Sequence, residues 1–302
     1  MKLLLVVNSF ASSVTARNRV LIEEILCDDG HEVTLKETNR RGHATRFAQD
    51  ASMRGYDVVV ALGGDGTLNE VANGLAGSST ALAVLPGGST NVFARTIGME
   101  NDPVAAARQV AAGLRSGTTI PIGLGNVNGR YFCFHTGVGF DAAVVAAVER
   151  RSTIKRWLGH PLFIYAGLKT FFRTYDRKRT HFVVTVGEQI CPGSFTVVLN
   201  TNPYTFLGNR PLDLAPAATL NAALSVVTFP RLPLLGVLTA LARTLLGGGV
   251  RGRAVVTHDG VATLTIESDV PFPYQLDGDY LGETARLVFR WEPDVVRLVL
   301  PA

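Results

Sequence analysis

Three runs of five residues without a polar side chain, Leu3–Val7, Val58–Leu62 and Ala81–Leu85, constrain this chain more than any other feature. A strand of alternating polarity can leave one face in water, but a strand that is apolar throughout must be covered on both. Around these runs lie segments with helical spacing of apolar residues: Val14–Cys27, with Val20, Leu21, Ile25 and Leu26, then Ala44–Met53, Thr67–Leu75 and the alanine-rich Asp102–Leu114. A short strand is expected at Glu32–Leu35. Buried strands alternating with helices predict a parallel sheet with helices on both faces.

Beyond Gly117 the pattern changes. Tyr131–His135, Thr180–Val186, Ser194–Asn200, Leu224–Phe229, Ala254–Thr257, Ala262–Ser268 and Arg286–Trp291 are short, rich in β-branched or aromatic residues, and punctuated by Gly, Pro and Asn. They predict an antiparallel β-sandwich with a helical insertion at Asp141–Tyr175. A chain of 302 residues has room for two domains, and the change of pattern puts the boundary near Thr118 to Gly129. The expected fold class is α/β, an N-terminal parallel-sheet α/β domain followed by a C-terminal antiparallel β-sandwich domain.

Twenty-nine Lys and Arg against twenty-five Asp and Glu give a net charge of +4. The excess crowds into Arg150, Arg151, Lys155, Arg156, Lys169, Arg173, Arg177, Lys178 and Arg179. Such a patch suits an anionic partner or is a solvated helix face. The modest total and the lack of a recognition motif argue against nucleic acid. Cys27, Cys133 and Cys191 are too few and scattered for a disulfide framework, contain no Cys-x-x-Cys pair for zinc, and suit a reducing interior. The apolar run after Lys2 is shorter than the roughly 7–15 residues of a signal sequence's apolar region and reads as a first strand. The longest apolar stretch, Leu232–Leu246, contains Pro233 and Arg243. It falls below the roughly 18–20 residues that span a bilayer. It is read as a segment that can lie on a membrane without crossing it, in a protein expected to be cytoplasmic and peripherally membrane-associated.

Val58–Leu62 breaks directly into Gly63-Gly64-Asp65-Gly66-Thr67. Glycine permits positive φ and a close approach of backbone to ligand. Thr67 and Glu70 have the spacing of a capping box, which predicts a helix that starts at the loop with its free amides facing the same space. Strand, glycine loop and helix N-terminus together make an anion site, at the carboxyl ends of the strands where ligands bind in parallel sheets. A second loop of similar build, Pro86-Gly87-Gly88-Ser89-Thr90-Asn91, follows the next run. Two such loops side by side point to a phosphate chain. No GxxxxGK[ST] is present, and Gly137-Val138-Gly139 lacks the third glycine of a dinucleotide fingerprint.

Four segments, Gly63–Val71, Pro86–Arg95, Gly137–Ala142 and Leu276-Asp277-Gly278-Asp279, together resemble the superfamily of diacylglycerol kinases, sphingosine kinases and bacterial lipid kinases. Gly63–Thr67 alone is shared with NAD kinases and phosphofructokinases; the four in this order are more specific, and the resemblance covers nearly the whole chain. It implies an ATP-binding domain of residues 1–120, joined by a returning C-terminal segment 293–302, a lipid-substrate domain of residues 121–292, and catalysis in the cleft between them. By motif, Asn8, Ser9 and Ser12 resemble the first nucleotide-contacting turn and Thr38 a further ATP contact. Gly63, Gly64, Asp65, Gly66, Thr67 and Asn69 resemble the phosphate loop, and Gly88, Ser89 and Asn91 the second loop. The activity implied is transfer of the γ-phosphate of ATP to a lipid hydroxyl, diacylglycerol first, giving phosphatidic acid.

Phosphoryl transfer needs in-line positioning, charge neutralisation by Mg²⁺ and an acceptor for the hydroxyl proton. Asp277 resembles the family's general base, and Asp279, where many members have Glu, would help hold the metal. The two would face one site if their segment is strand-like, with Asp65 completing an acidic cluster that attracts Mg²⁺. The alternative for Asp277-Gly278-Asp279 is a β-turn. Asp141 resembles a contact to the substrate head group, or is a helix N-cap. Family members often hold a second, structural Mg²⁺ at an Asp-Asp-Gly-Leu segment, and here Thr219-Leu220-Asn221-Ala222-Ala223-Leu224 lacks both carboxylates. That auxiliary site is expected to be empty.

A lipid kinase takes its hydroxyl from a bilayer. The basic and aromatic residues interleaved from Lys155, Arg156 and Trp157 to Phe172 and Arg173, Leu232–Leu246, or both, are expected to rest on anionic headgroups, the alternative being ordinary core helices. Three alternatives stay open: a kinase of another lipid such as a sphingoid base, ceramide or glycolipid, a kinase of a soluble acceptor such as NAD, and a nucleotide-binding regulator without catalysis. Homodimerisation stays open as well.

Overall fold

A computed structural model of the protein describes residues 1–149, 169, 175–176, 179–250, 252 and 255–302. The chain forms two compact units, Met1–Leu124 with Pro293–Ala302, and Gly125–Glu292.

In the first unit the apolar runs become β1 (Lys2–Val7), β3 (Val58–Gly63) and β4 (Ala81–Pro86), with every residue of β3 and β4 buried. β2 (Glu32–Glu37) lies at the edge and is half exposed, as its alternating polar sequence requires. β1 pairs in parallel with β2 on one side and β3 on the other, and β3 pairs in parallel with β4. Arg297 and Leu298, at the end of the long β16 (Asp279–Val299), add in parallel beside β4.

The connecting helices are α1 (Ala16–Cys27), α2 (His43–Met53), α3 (Asp65–Leu75), α4 (Val92–Thr96) and α5 (Pro103–Ser116). Local chemistry sets several of their ends. Thr15 accepts the Asn18 N–H at 3.1 Å to start α1, and Asp102 accepts those of Val104 and Ala105, with Pro103 in the first turn, to start α5. Gly117, at φ 65°, ends α5 in the left-handed conformation that glycine tolerates. α2 packs closely on α3, because a Cβ on Gly74 would lie 2.5 Å from the Thr45 carbonyl oxygen.

The expected Thr67–Glu70 capping box is absent. α3 begins two residues earlier, at Asp65, and Glu70 reaches to the neighbouring helix. Its carboxylate accepts the N–H groups of Gly42 and Ala44 at 2.8 and 3.0 Å. It thereby serves the start of α2, whose own N-cap, Gly42, has no side chain to offer.

The second unit is antiparallel. β14 (Val256–Val261), β13 (Leu224–Phe229), β10 (Phe195–Leu199), β7 (His135–Gly139) and β15 (Thr263–Leu276) lie in that order. β8 (Phe182–Val186) and the start of β16 also pair with β15, and β9 (Gln189–Gly193) pairs with β8. β5 (Thr119–Val127) and β6 (Arg130–Phe132) form a hairpin, and β11 (Thr205–Leu207) and β12 (Arg210–Leu212) another.

Alternation along β10 and β13 gives two cores. Val198, Leu224 and Val226 join Phe132, Phe182, Phe272 and Phe289 on one face, while Val197, Leu199, Val227 and Phe229 join Leu214 and Leu232 on the other. Among the described residues the helices whose bounds are set here are α6 (Phe140–Glu149) and α7 (Leu234–Leu245). Most of the rest of the expected insertion, including Lys155–Arg156 and the aromatic residues through Phe172, lies outside the described residues. Tyr131–His135, read above as one strand, is split between β6 and β7, since the N–H groups of Cys133 and Phe134 serve a side chain rather than a ladder.

Candidate active site

The strand order β2-β1-β3-β4 means that the chain leaves β1 in one direction and β3 in the other. The loops after β1 and β3 therefore diverge at a topological switch point, where open parallel sheets bind ligands. Asn8 and the Gly63–Gly64 turn sit at this point. Asn8 donates its side-chain amide to the Thr67 hydroxyl at 3.0 Å and its own N–H to the Leu62 carbonyl at 2.9 Å.

Of the two freedoms the sequence suggested for these glycines, positive φ is not used. Neither Gly63, Gly64, Gly87 nor Gly88 has a positive φ. What they allow is contact between loops. A Cβ on Gly87 would come within 2.8 Å of the Gly63 Cα, and one on Gly88 within 2.8 Å of the Gly64 Cα. The Gly87 N–H donates to the Gly63 carbonyl at 2.7 Å, and the Ser13 N–H, from the loop after β1, donates to the Gly87 carbonyl at 2.9 Å. Three loops are thus locked at the ends of β1, β3 and β4.

Gly64 is the N-cap residue of α3, and no side chain caps that helix; Gly66 lies in its first turn. A helix N-terminus left this way presents main-chain amides and the positive end of its dipole. Asp65, by contrast, spends its carboxylate on the second loop, accepting from the N–H groups of Val92 and Phe93 at 3.0 and 3.2 Å. Asn91 closes the same loop. Its Oδ1 accepts the Gly88 N–H and its Nδ2 donates to the Gly88 carbonyl and to Asn101.

Of the other expected contacts, Ser89 is exposed beside Thr90, and Ser12 is exposed. Ser9 donates to Glu37 at the end of β2, and Thr38 is buried with its N–H on the Val7 carbonyl. Asn69 is buried in α3, where its carbonyl accepts from the Asn73 side chain.

In the second unit, Asp277 and Gly278 form the two-residue turn between β15 and β16, with φ of 47° and 83° and Leu276 paired to Asp279. Positive φ at both positions is the mark of a type I′ hairpin, for which Asp-Gly is a favoured pair. The strand-like arrangement that would align Asp277 with Asp279 is therefore replaced by a turn. The Asp277 carboxylate is buried and accepts three N–H groups, from Cys133 at 2.7 Å, Phe134 at 3.0 Å and His135 at 3.1 Å. Asp279 is half buried at the start of β16.

Asp141 lies in the first turn of α6 rather than at its cap, and it is buried. Its carboxylate accepts from the Tyr204 hydroxyl and, at 2.6 Å, from the Gln275 amide. Burial raises the Asp141 pKa, and these two donors pull the other way. Burial, with Asp141 alongside, holds the Tyr204 phenol well above its ordinary range, so it keeps its proton and donates.

Gln275 also accepts the Gly278 N–H at 2.8 Å, which links Asp141 to the Asp277 turn. Gly137 makes room for the pair, since a Cβ there would fall 1.8 Å from an Asp141 oxygen. His135 packs its ring 4.5 Å from that of Tyr204, has no partner for its buried Nδ1, and is pushed by burial down to about 3. Tyr204, Gln275 and His135 were not anticipated. Gln275 carried a signal, a polar residue two before Asp277 in a strand; Tyr204 and His135 are joined to the site by tertiary contacts alone.

Among the described residues no group of three or more His, Cys, Asp or Glu side chains is placed to hold a metal ion. At the auxiliary segment, the Thr219 carbonyl accepts the Ala222 N–H at 3.1 Å and Leu224 is buried in β13.

The model of the diacylglycerol kinase catalytic domain matches residues 2–127. A lipid kinase YegS-like protein of Pseudomonas aeruginosa is 32% identical over 275 residues, 90% of this chain and 86% of that protein. A diacylglycerol kinase of Staphylococcus haemolyticus is 28% identical over 259 residues, 84% of this chain and 74% of the relative. Two solved structures described as diacylglycerol kinases of Bacillus anthracis share the fold over 99% of this chain and 97% and 96% of theirs, with TM-scores of 0.76 and 0.71 at 21% and 19% identity. With that degree of likeness running over nine-tenths of its length, the chain belongs to the lipid kinase family that carries the diacylglycerol kinase catalytic domain.

Proposed function

We propose that this protein is an ATP-dependent lipid kinase that transfers the γ-phosphate of ATP to the hydroxyl of diacylglycerol and releases phosphatidic acid. The observation that carries the reading is the uncapped amino end of α3 at the switch point of a parallel sheet, beside a second glycine loop held against it. Main-chain amides and a helix dipole there suit a polyphosphate. Asn8, Ser9, Ser12 and Thr38 are assigned to the rest of the nucleotide, and Gly88, Ser89 and Asn91 to the second phosphate loop.

Mg²⁺, when bound, would neutralise charge on the transferring phosphates. Such ions take one or two carboxylates together with substrate phosphates, so the lack of a three-carboxylate group is compatible with Asp65 and Asp279 as its protein ligands. Asp277 is assigned the acceptance of the hydroxyl proton, with three amides fixing its carboxylate in place. Asp141, oriented by Tyr204 and Gln275, is assigned to the acceptor head group.

The test is incubation with γ-labelled ATP and diacylglycerol in mixed micelles, with a lipid extract and NAD as parallel acceptors. Label in phosphatidic acid, lost in Asp277→Asn at a pH where that variant is folded, is the expected result. Label in another lipid or in NADP would replace the acceptor, and nucleotide binding without transfer to any acceptor would overturn the kinase reading.

A further inference from the structure

Among its described side chains, helix α7 buries one side. Val237 and Ala240 pack on the second core, Thr244 is buried, and the Thr244 carbonyl accepts the Asp213 N–H at 3.3 Å. At 3.6 residues per turn these three positions share one arc of the helix. Leu234, Leu235, Leu238, Leu245 and Leu246 fall on a separate stripe about 120° wide, and they are 46%, 77%, 52%, 38% and 85% exposed. A single exposed leucine is ordinary; five on one stripe form an apolar patch of the kind that marks an interaction site.

The surroundings select the partner. Exposed Arg243 borders the stripe in the last turn, exposed Arg231 precedes the helix, and exposed Arg210 lies on β12, the strand beside which α7 packs. From Leu214 to His258 the sequence holds four arginines and no Asp or Glu. Asp213, half buried near the end of α7, has its carboxylate engaged by the Asn202 amide at 2.9 Å, and an aliphatic stripe flanked by exposed arginines is the composition of a helix that lies in the headgroup region of an anionic bilayer. No helix among the described residues is long and apolar enough to cross a membrane. Lying flat is the mode open to twelve residues.

We infer that α7 seats the second unit on an anionic lipid surface, with the leucine stripe inserted and the arginines at headgroup level. This names the surface on which the proposed kinase would meet its acceptor. The test needs no turnover, so its failure and the failure of the kinase reading are separable.

Full-length protein is cosedimented, without nucleotide, with phosphatidylcholine vesicles that contain or lack phosphatidylglycerol. Binding is expected with phosphatidylglycerol and weakens as salt is raised. The variant carrying Leu235→Asp and Leu238→Asp should bind at least about tenfold more weakly, the change that about 1.4 kcal/mol represents. Its melting profile should be unaltered, since both side chains face solvent. Arg243→Glu should weaken binding about fivefold at low salt. Wild-type protein that ignores anionic vesicles, or a double variant that binds them equally well, would overturn the inference. So would a wild-type dimer that the double variant dissociates, which would make the stripe a contact between two copies of this chain.

Discussion

A methyl group placed on Gly88 should push the two glycine loops of the first unit apart, whereas serine at the facing Gly64 should be accommodated. The Gly88 Cβ would sit 2.8 Å from the Gly64 Cα, while ordinary contact begins at 3.4 Å, a deficit of 0.6 Å. The obstacle is main chain and cannot swing away. It is pinned by the Gly87-to-Gly63 hydrogen bond and, one residue on, by the two bonds from Asp65 to the start of α4. Overpacking of this kind costs about 1–3 kcal/mol. In the other direction the geometry is relaxed: a Cβ on Gly64 meets the Gly88 Cα at 3.5 Å, and Gly64 already has the extended backbone (φ −84°, ψ −178°) of an N-cap. Serine there adds the cap that α3 lacks, so Gly64→Ser should hold stability within a few tenths of a kcal/mol of wild type or raise it. Its hydroxyl would then compete with phosphate for the same amides, and ATP affinity should fall at least about tenfold, the scale of one charge-assisted hydrogen bond. Calorimetry is the proper stability assay, because Trp157 and Trp291 both lie in the second unit's span and would not report on the first. Nucleotide binding is measured by titration. If Gly88→Ala melts with wild type, the loop packing is misread. If Gly64→Ser is folded and binds ATP undiminished, the phosphate does not sit on α3.

Asp65→Ala should cost about 1–2 kcal/mol by uncapping α4, measured in the same calorimeter; an unchanged transition would refute the capping role. Asp277→Asn should destabilise the protein by about 1–3 kcal/mol whatever its effect on catalysis. An amide offers one oxygen where the carboxylate serves three N–H groups with two, so a melting profile equal to wild type would argue against the buried turn. Tyr204→Phe leaves the buried Asp141 carboxylate with Gln275 as its remaining named donor, and a loss of about 1–3 kcal/mol is expected. His135 has a folded pKa pushed down to about 3 from an ordinary 6.5. The unfolded chain therefore takes up its proton first, and stability present at neutral pH is lost as pH falls from 6.5 towards 3. By pH 5 the loss is about 2 kcal/mol relative to pH 8. Asp141, with its raised pKa, works in the opposite sense as pH rises above 3.8. The reading is thus the difference between wild type and His135→Phe, whose ring can still pack on Tyr204. Equal acid sensitivity of the two proteins would refute it.

Much of the first unit is legible because a run such as Val58–Leu62 leaves a strand no exposed face, and a parallel sheet between helices satisfies that at once. Glu70 shows where reading by local spacing stops. Three residues after Thr67 it fits a capping box, yet it serves α2, because the Gly42 N-cap in the neighbouring helix has no oxygen of its own. The long β15 and β16 were seen only as fragments, Ala262–Ser268 and Arg286–Trp291, since register shifts after Glu267 and Tyr274 interrupt the alternation that would have joined them.

Sequence alone determined that glycine-rich loops follow two buried strands and that Asp277-Gly278 favours a tight turn, because apolar runs and turn residues act over a few neighbours. Tertiary structure decided what those residues are for. Gly88 is glycine because Gly64, 24 positions away, comes within a methyl's width of it. Asp277 is held by amides more than 140 positions earlier, and Asp141 by Tyr204 and Gln275, 63 and 134 positions away. Buried polar groups must find partners wherever the fold brings them, and no local pattern records which ones those will be.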